Sequence, residues 1–145
     1  MAKFRYRMQN ILDIKLKLES QAEIAYSAAN AEYQEQQEIL QKLLIRRNGY
    51  ERRLRELMEG ELDVAEVKHA KADVEAVREM VNRQMIQVQK AQQKVNAARA
   101  ELNQVMMERK TQEKLRENAF EDFKKELADA ENKEIDELVS YTFNH

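Results

Sequence analysis

The sequence lacks cysteine, proline and tryptophan, and it has only two glycines, Gly49 and Gly60, among its 145 residues. Without cysteine, the chain has no disulfide framework and no thiol chemistry. Without proline, nothing prevents helices far longer than the ~11–12 residues of a mean globular helix. With so little glycine, there is no glycine-rich loop to hold a phosphate group. These absences favour long helices and exclude several kinds of enzyme site.

The sequence also lacks a strong net charge and a long apolar run. The formal net charge is −2 and the pI is near 5.8, so composition does not favour nucleic acid or an anionic membrane as a partner. No stretch approaches the ~18 apolar residues of a membrane span. The basic start, Met1–Met8, is not followed by an apolar run of signal-peptide length. We therefore expect a cytosolic chain without direct membrane insertion.

The chain does have a hydrophobic repeat with alternating steps of three and four residues. The repeat runs through Val67, Ala70, Val74, Val77, Val81, Gln84, Val88, Ala91, Val95, Ala98, Leu102 and Val105. An average spacing of about 3.5 residues keeps one stripe of a helix against a partner helix. This stripe is narrower than the apolar face of a helix inside a globular core. The repeat therefore predicts one strand of a coiled coil.

A break signal precedes this repeat. Gly60 can close one helix in the left-handed conformation. Asp63 can cap the next helix, with Glu66 three residues on completing a capping box. Leu62 and Val67 occupy the two positions of a hydrophobic staple. The sequence therefore predicts a stop, a turn and a start within a few residues.

Such a short connector makes two helices antiparallel neighbours. We expect one all-α domain over residues 1–145, a long antiparallel two-helix coiled coil with helix 1 at about 4–59, the turn at about 60–63 and helix 2 at about 63–141. Helix 1 carries its own stripe at Leu40, Leu43, Arg47, Tyr50, Leu54 and Leu57. Upstream, the 3-4-4 spacing of Ala22, Ala25, Ala29 and Tyr33 predicts an eleven-residue step, which relaxes the left-handed supercoil.

The two predicted helices are unequal in length. If the turn is centred near Gly60, Phe4 lies opposite Glu117, and the last two dozen residues of helix 2 project about 35 Å past the N-terminus at ~1.5 Å per residue. This acidic overhang still carries large apolar residues, among them Phe120, Phe123, Leu127, Ile135, Leu138 and Tyr141. An apolar stripe without a partner in its own chain is typical of a docking surface. A frayed or bent-back end, or the pairing of two overhangs, is the alternative.

Five arginines gather near the predicted turn: Arg46, Arg47, Arg52, Arg53 and Arg55. Together with Tyr50 they form the combination of aromatic and cationic side chains found at binding hot spots. A solvated charged face is the alternative. No known nucleic-acid-binding module surrounds these arginines, so we do not expect nucleic acid as a partner.

The sequence offers no catalytic constellation. Glu66 and His69 form a Glu-x-x-His step, but the di-iron bundles that use this step need a second copy, and the other histidine is His145. The few serines lie on expected helix faces rather than in a pocket: Ser20, Ser27 and Ser140. We expect no enzyme activity, no cofactor and no metal.

Three segments resemble the flagellar FliJ family, in the right order and over the whole chain. They are Phe4–Lys15 (FRYRMQNILDIK), Glu108–Leu115 (ERKTQEKL) and Lys133–Leu138 (KEIDEL). The N-terminal Phe-x-Tyr-Arg-x-Gln-x-Ile-Leu-Asp pattern is the most specific of them. The resemblance implies a two-helix antiparallel coiled coil similar to the central stalk subunit of rotary ATPases.

The resemblance also implies a function. It indicates a non-enzymatic stalk or coupling component of the flagellar type III protein export apparatus. The implied partners are a hexameric export ATPase, the cytoplasmic domain of the export-gate membrane protein, and export chaperones, at the cytoplasmic face of the inner membrane. A cytosolic chaperone or escort for export substrates, and a structural coiled-coil homodimer, are the alternative functions.

Two interaction sites follow from the resemblance and from the charge pattern. The end that binds the ATPase ring comprises Phe4, Tyr6, Phe120, Phe123, Leu127, Ile135, Leu138 and Tyr141. The tip that binds the export gate comprises Leu43, Arg46, Arg47, Tyr50, Arg53, Val77 and Met80. At Arg46 the chain departs from the aromatic residue that some family members carry. Leu43, Tyr50 and Val77 also lie on the predicted seam, where core packing is the alternative role.

Overall fold

Two long helices packed antiparallel form a helical hairpin, in a computed structural model that describes residues 3–143. Helix α1 spans Gln9–Leu57 and helix α2 spans Val64–Phe143. The all-α hairpin predicted from the 3-4 repeat and the break signal is confirmed. Within the described residues, neither helix contains a segment apolar and long enough to cross a membrane.

Helix α1 begins later than the sequence pattern indicated. Its first residue is Gln9 rather than a residue near position 4, and residues 3–6 are not helical. The Gln9 N–H donates to the Tyr6 carbonyl at 3.1 Å, which closes the turn that leads into the helix. The ring of Phe4 packs against Phe120 and Phe123 of α2. If the helix included residue 4, its 3.6-residue period would set the direction of the Phe4 side chain. Residues 3–6 leave the helix and make this aromatic contact instead.

The turn between the helices follows the predicted chemistry in most respects. Gly60 has φ 89°, a left-handed conformation that disfavours residues with a Cβ atom. An Asp63 carboxylate oxygen accepts from the N–H groups of Ala65 at 3.0 Å and Glu66 at 3.4 Å, so Asp63 is the N-cap of α2. Among the described residues, the Asp63 N–H does not donate to the Glu66 carboxylate, so the second half of the expected capping box is missing.

The chain divides into two compact units, and the single domain expected over residues 1–145 stays a prediction. The terminal unit comprises Met1–Ala22 and Leu102–His145, and the turn unit comprises Glu23–Glu101. In the turn unit, the buried seam consists of small and β-branched residues of α2: Ala70, Val74, Val77, Val81, Ala91 and Val95. All of them lie on the predicted 3-4 repeat.

On α1, the turn unit shows a regular repeat where an eleven-residue step was expected. Ala25 is exposed and Tyr26 is half-buried, so the step predicted from Ala22, Ala25 and Ala29 is wrong. The half-buried positions continue from Tyr26 in steps of three and four: Ala29, Tyr33, Gln36, Leu40, Leu43, Arg47, Tyr50, Leu54 and Leu57. Tyr26 offers more apolar area than Ala25, and its ring also faces the Arg99 guanidinium at 5.8 Å.

Gln84, the polar position of the α2 stripe, has a partner on α1. Its Nε2 donates to the Gln36 backbone carbonyl and to the Gln36 side-chain oxygen, both at 2.8 Å. A polar pair satisfied in this way avoids the penalty of an unpaired amide in the seam.

In the terminal unit, the register differs from the expected one. Phe4 contacts Phe120 at 5.0 Å between ring centroids instead of facing Glu117, a displacement of about one helical turn. The Tyr6 hydroxyl donates to the Gln112 side chain at 3.1 Å. After Phe123 every described residue of α2 is exposed, and the buried residues among those described in this unit are Leu12, Ala22 and Val105.

Candidate functional site

Charged side chains join the two helices of the terminal unit. Arg109 Nε and Nη2 donate to the two carboxylate oxygens of Glu19 at 2.5 and 3.2 Å, and Arg109 Nη1 donates to Glu113 at 2.9 Å. The hydrogen bonds that Arg109 donates to Glu19 raise the pKa of Arg109. This fork geometry is specific to a guanidinium and a carboxylate. It fixes the register of the two helices in this unit where the apolar seam is sparse.

A second ion pair lies in the same unit. Lys15 Nζ is 2.8 Å from Glu108 Oε2, and Gln104 Nε2 donates to the other oxygen of Glu108 at 3.1 Å. The hydrogen bond from Lys15, followed by that from Gln104, lowers the pKa of Glu108. Apolar periodicity alone does not predict these charged contacts. The sequence spacing does mark these positions. Lys15 and Glu19 continue the 3-4 repeat of α1, and Arg109 continues that of α2.

An aromatic cluster ends the facing part of this unit. The Phe4 ring lies edge-on to Phe120 at 5.0 Å and tilted to Phe123 at 5.5 Å. Two cations cover the cluster, with the Arg116 guanidinium 5.6 Å from the Phe4 ring and the Lys124 ammonium 4.9 Å from the Phe120 ring. Three residues predicted to bind the ATPase ring therefore contact one another in the isolated chain.

Beyond this cluster, α2 continues to Phe143, and every residue from 124 to 143 is exposed. Large apolar side chains remain accessible there: Leu127 is 39% exposed, Ile135 57% and Leu138 65%. Tyr141, also predicted for this surface, is exposed as well. Six carboxylates and three lysines accompany them: Glu126, Asp129, Glu131, Glu134, Asp136 and Glu137 with Lys124, Lys125 and Lys133. The segment is an acidic helix end with accessible apolar residues.

The predicted gate-binding residues of the turn unit separate into three groups by burial. Val77 is only 1% exposed, so it belongs to the core and cannot contact a partner. Its place in the 3-4 repeat explains this burial. Leu43, Arg47 and Tyr50 are half-buried along the seam. Exposed members of the set are Arg46, Arg53 and Met80.

Arg47 is a cation on the seam without a strong partner. Its Nε is buried and has no hydrogen-bond acceptor among the described residues, and the Glu51 carboxylate lies 3.9 Å away. Glu51 is instead 3.1 Å from Arg78 of α2. Arg47 therefore acts mainly through packing of its aliphatic stem.

The three exposed residues of the predicted gate-binding set each directly precede a seam residue in the sequence. Arg46 and Arg53 are seven residues apart on α1, and Ile39, which is 38% exposed, precedes them by another seven. Met80, 40% exposed, occupies the same position on α2 before Val81. The sequence interpretation missed Ile39, although its spacing was visible.

Contacts of other residues show that such positions face each other across the seam. Lys94 of α2 and Glu32 of α1 both precede seam residues, and their charged groups are 3.5 Å apart. Arg53 lines one depression together with Glu66 and Asp73, which also precede seam residues. Ile39, Arg46, Arg53 and Met80 therefore lie on one side of the helix pair, and we call them the arginine flank.

The Glu-x-x-His step of the sequence is not part of a metal-binding group among the described residues. His69 lies beside Glu66 and Asp73 at the depression of the turn unit, but no group of three or more metal-binding side chains occurs among residues 3–143. His145, the other histidine, lies outside the described residues.

Comparisons with known proteins agree with this description. A family model described as flagellar FliJ protein matches residues 4–145. Among solved structures, a Chlamydia trachomatis protein described as a YscO homologue matches with a TM-score of 0.62 and 22% sequence identity, over 98% of this chain and 96% of that chain. At this identity the likeness supports the fold alone. No curated protein matches the chain.

The family match covers nearly the whole sequence, including the aromatic cluster, the acidic helix end and the arginine flank. The chain belongs to the flagellar FliJ family, a non-enzymatic component of the flagellar type III export apparatus.

Proposed function

We propose that this protein is a stalk or coupling component that binds the ring of the hexameric export ATPase through the end of α2. It binds the cytoplasmic domain of the export-gate membrane protein through the arginine flank, and so works peripherally at the cytoplasmic face of the membrane. A pair of unlike helices inside a ring contacts each ring subunit differently. Such contacts bias the conformations of the ring subunits when the helix pair binds one subunit conformation more tightly than another.

One observation carries the proposal, the accessible helix end from residue 124 to residue 143. Leu127, Ile135 and Leu138 would be costly to leave in water over so short a segment unless another protein covers them. Pairing of two such ends in a homodimer is opposed by their excess of carboxylates, since like charges repel. A partner other than a second copy of this chain therefore fits better.

The arginine flank supports the second half of the proposal. Arg46 and Arg53 place cations beside the accessible apolar side chains of Ile39 and Met80. Arginine beside apolar contact area is typical of residues that contribute strongly to protein binding. Leu43 and Tyr50 are half-buried and lie three or four residues from Arg46 on α1, so they adjoin the flank on the helix surface.

Removal of residues 127–145 tests the ring assignment. The deletion leaves Phe4, Phe120 and Phe123 in place, so the helical content should fall only by the deleted residues and the free energy of unfolding should change by less than about 0.5 kcal/mol. Binding to the hexameric export ATPase, measured by co-sedimentation, should be lost. Circular dichroism and urea unfolding check the fold of the shortened chain.

A double substitution, Leu127→Ser with Leu138→Ser, should weaken ring binding without shortening the helix. Ile24→Ser with Met107→Ser is the control, because these side chains are at least as accessible as Leu127 and Leu138 but lie outside both proposed surfaces. If the shortened chain binds the ring as the full chain does, the end of α2 is not the ring-binding surface. Equal losses in the test and control pairs would indicate a nonspecific effect of apolar surface.

A further inference from the structure

The N-terminal segment packs on α2 directly before the accessible end of this helix. In residues 3–7, basic residues alternate with aromatic ones: Lys3, Phe4, Arg5, Tyr6 and Arg7. Residues 3–6 are not helical and lie against α2, where the Phe4 ring contacts Phe120 and Phe123. The contact is therefore that of a short irregular peptide on a helix surface.

The surface beneath this segment combines an apolar strip with carboxylates. A shallow depression of about 410 Å³ is lined by all five residues of the segment and, from α2, by Ala119, Asp122, Phe123 and Glu126. Asp122 and Glu126 are one helical turn apart, so they form an acidic edge beside the aromatic residues. The positive charges of residues 3–7 match this edge.

The same surface continues past the point where the N-terminal segment stops. At 3.6 residues per turn, Leu127, Ala130 and Leu138 fall on the helix face of Phe123. Asp129, Asp136 and Glu137 fall on the side of α2 that carries Asp122 and Glu126, with Lys133 as the single cation among them. All of these residues are exposed. The strip with its acidic edge is thus only partly covered by the described residues of the chain.

We propose that the uncovered part of this strip binds a partner segment of the same chemistry as residues 3–7, in which lysine or arginine alternates with aromatic or large aliphatic residues. This inference rests on the proposed function, since it names the chemistry that the ring would present to α2. Apolar side chains of the partner lie on Leu127 and Leu138, and its cations lie along Asp129, Asp136 and Glu137. An anionic lipid surface and a second acidic helix end are both repelled by this edge.

A peptide probe tests the inference on the full chain. The probe is acetyl-Lys-Phe-Arg-Tyr-Arg-amide, titrated into isotope-labelled protein while backbone amide resonances are followed. Resonances of residues 127–139 should shift, and binding should weaken as salt is added. The triple variant Asp129→Asn, Asp136→Asn, Glu137→Gln should weaken probe binding about tenfold, if each exposed charge contributes a few tenths of a kcal/mol.

The matched control neutralises three carboxylates on the opposite side of α2: Glu117→Gln, Glu121→Gln and Glu131→Gln. It should bind the probe as the wild type does. The charge-reversed peptide acetyl-Glu-Phe-Asp-Tyr-Asp-amide should not shift the amides of residues 127–139. Equal binding of the two peptides, equal losses in the two triple variants, or no shifts at all would overturn the inference.

Ring binding by the same variants separates this inference from the proposed function. If deletion of residues 127–145 abolishes ring binding while the Asp129, Asp136, Glu137 variant binds the ring normally, the helix end is the ring-binding surface but its acidic edge is not used. If the deleted chain binds the ring normally, the proposed function fails whatever the peptide does.

Discussion

At the scale of single residues, the two glycines serve different purposes. Gly60 has a positive φ in the turn, where a residue with a Cβ atom is strained whatever space surrounds it. Gly49 lies inside α1, is exposed, and has no atom within 4 Å of the place that a Cβ would occupy. The turn therefore requires its glycine, and the helix does not.

Substitution by alanine should reveal this difference. Gly49→Ala should raise the free energy of unfolding by about 1 kcal/mol, because alanine favours the helix and restricts the unfolded chain. Gly60→Ala should lower it by about 1–2 kcal/mol, because alanine disfavours the left-handed conformation. Urea unfolding followed by circular dichroism at 222 nm measures both variants. A destabilised Gly49→Ala variant would show that this position is bent or covered by contacts that the structure lacks.

Burial along the α2 stripe follows the 3-4 repeat of the sequence closely. Every apolar residue of the repeat itself, from Val67 to Val105, is at least half-buried, because a 3.5-residue repeat maps directly onto the contact line of two helices. The partner of Gln84 was missed because the α1 stripe was followed only from Leu40. Gln36 lies four residues before Leu40 in the same 3-4 repeat, but a polar side chain gives no apolar signal.

At the scale of elements, periodicity predicted the α2 seam better than the upstream part of α1. Alanines at positions 22, 25, 28, 29 and 31 fit several helical spacings at once, so the sequence could not separate Ala25 from Tyr26. The start of α1 was wrong for a different reason. The contact of Phe4 with Phe120 and Phe123 joins residues more than a hundred positions apart, which no local pattern contains.

The elements of the turn unit also define a test of the arginine flank. Replacing Arg46 and Arg53 by alanine should slow association with the export gate and reduce its dependence on salt. The melting temperature should stay nearly unchanged, since exposed charges contribute little to stability. Stopped-flow binding at two salt concentrations measures the rates. Arg47 is left intact because its stem packs on the seam.

Arg52→Ala with Arg55→Ala is the control on the same helix. These two arginines are exposed but do not precede seam residues, so they point away from the arginine flank. Gate association should be affected less by the control than by the Arg46, Arg53 variant. Equal effects of the two pairs would mean that the gate responds only to the net charge of α1.

At the scale of the whole molecule, the two units hold their helices together by different forces. The turn unit has a nearly continuous seam of valine and alanine from α2. The terminal unit has few buried residues and depends on the ion pairs of Arg109 with Glu19 and of Lys15 with Glu108. The sequence predicted the apolar seam and the accessible helix end, but it could not show which charges pair.

This difference predicts unequal local stability along the full chain. Amides of α1 from residue 9 to residue 22 should exchange hydrogen through openings of lower free energy than amides of the turn unit near Val77. Added salt should lower their protection further, because it screens partly exposed ion pairs. Hydrogen exchange read by mass spectrometry, expressed as protection factors, measures both regions in one sample.

Acid should act on the same region, and the direction follows from the pKa of Glu108. Lys15 lowers that pKa, so the pair stabilises the folded unit fully at pH values above the ordinary pKa of a glutamate. The stabilisation is lost as the pH falls through the lowered pKa, where Glu108 gains a proton. Protection in residues 9–22 should therefore fall on acidification before protection near Val77 does, after correction for the intrinsic exchange rate. Lys15→Met should remove most of this acid sensitivity.

Parallel loss of protection in both regions would show that the hairpin opens as one cooperative unit, with the ion pairs contributing no separate local stability.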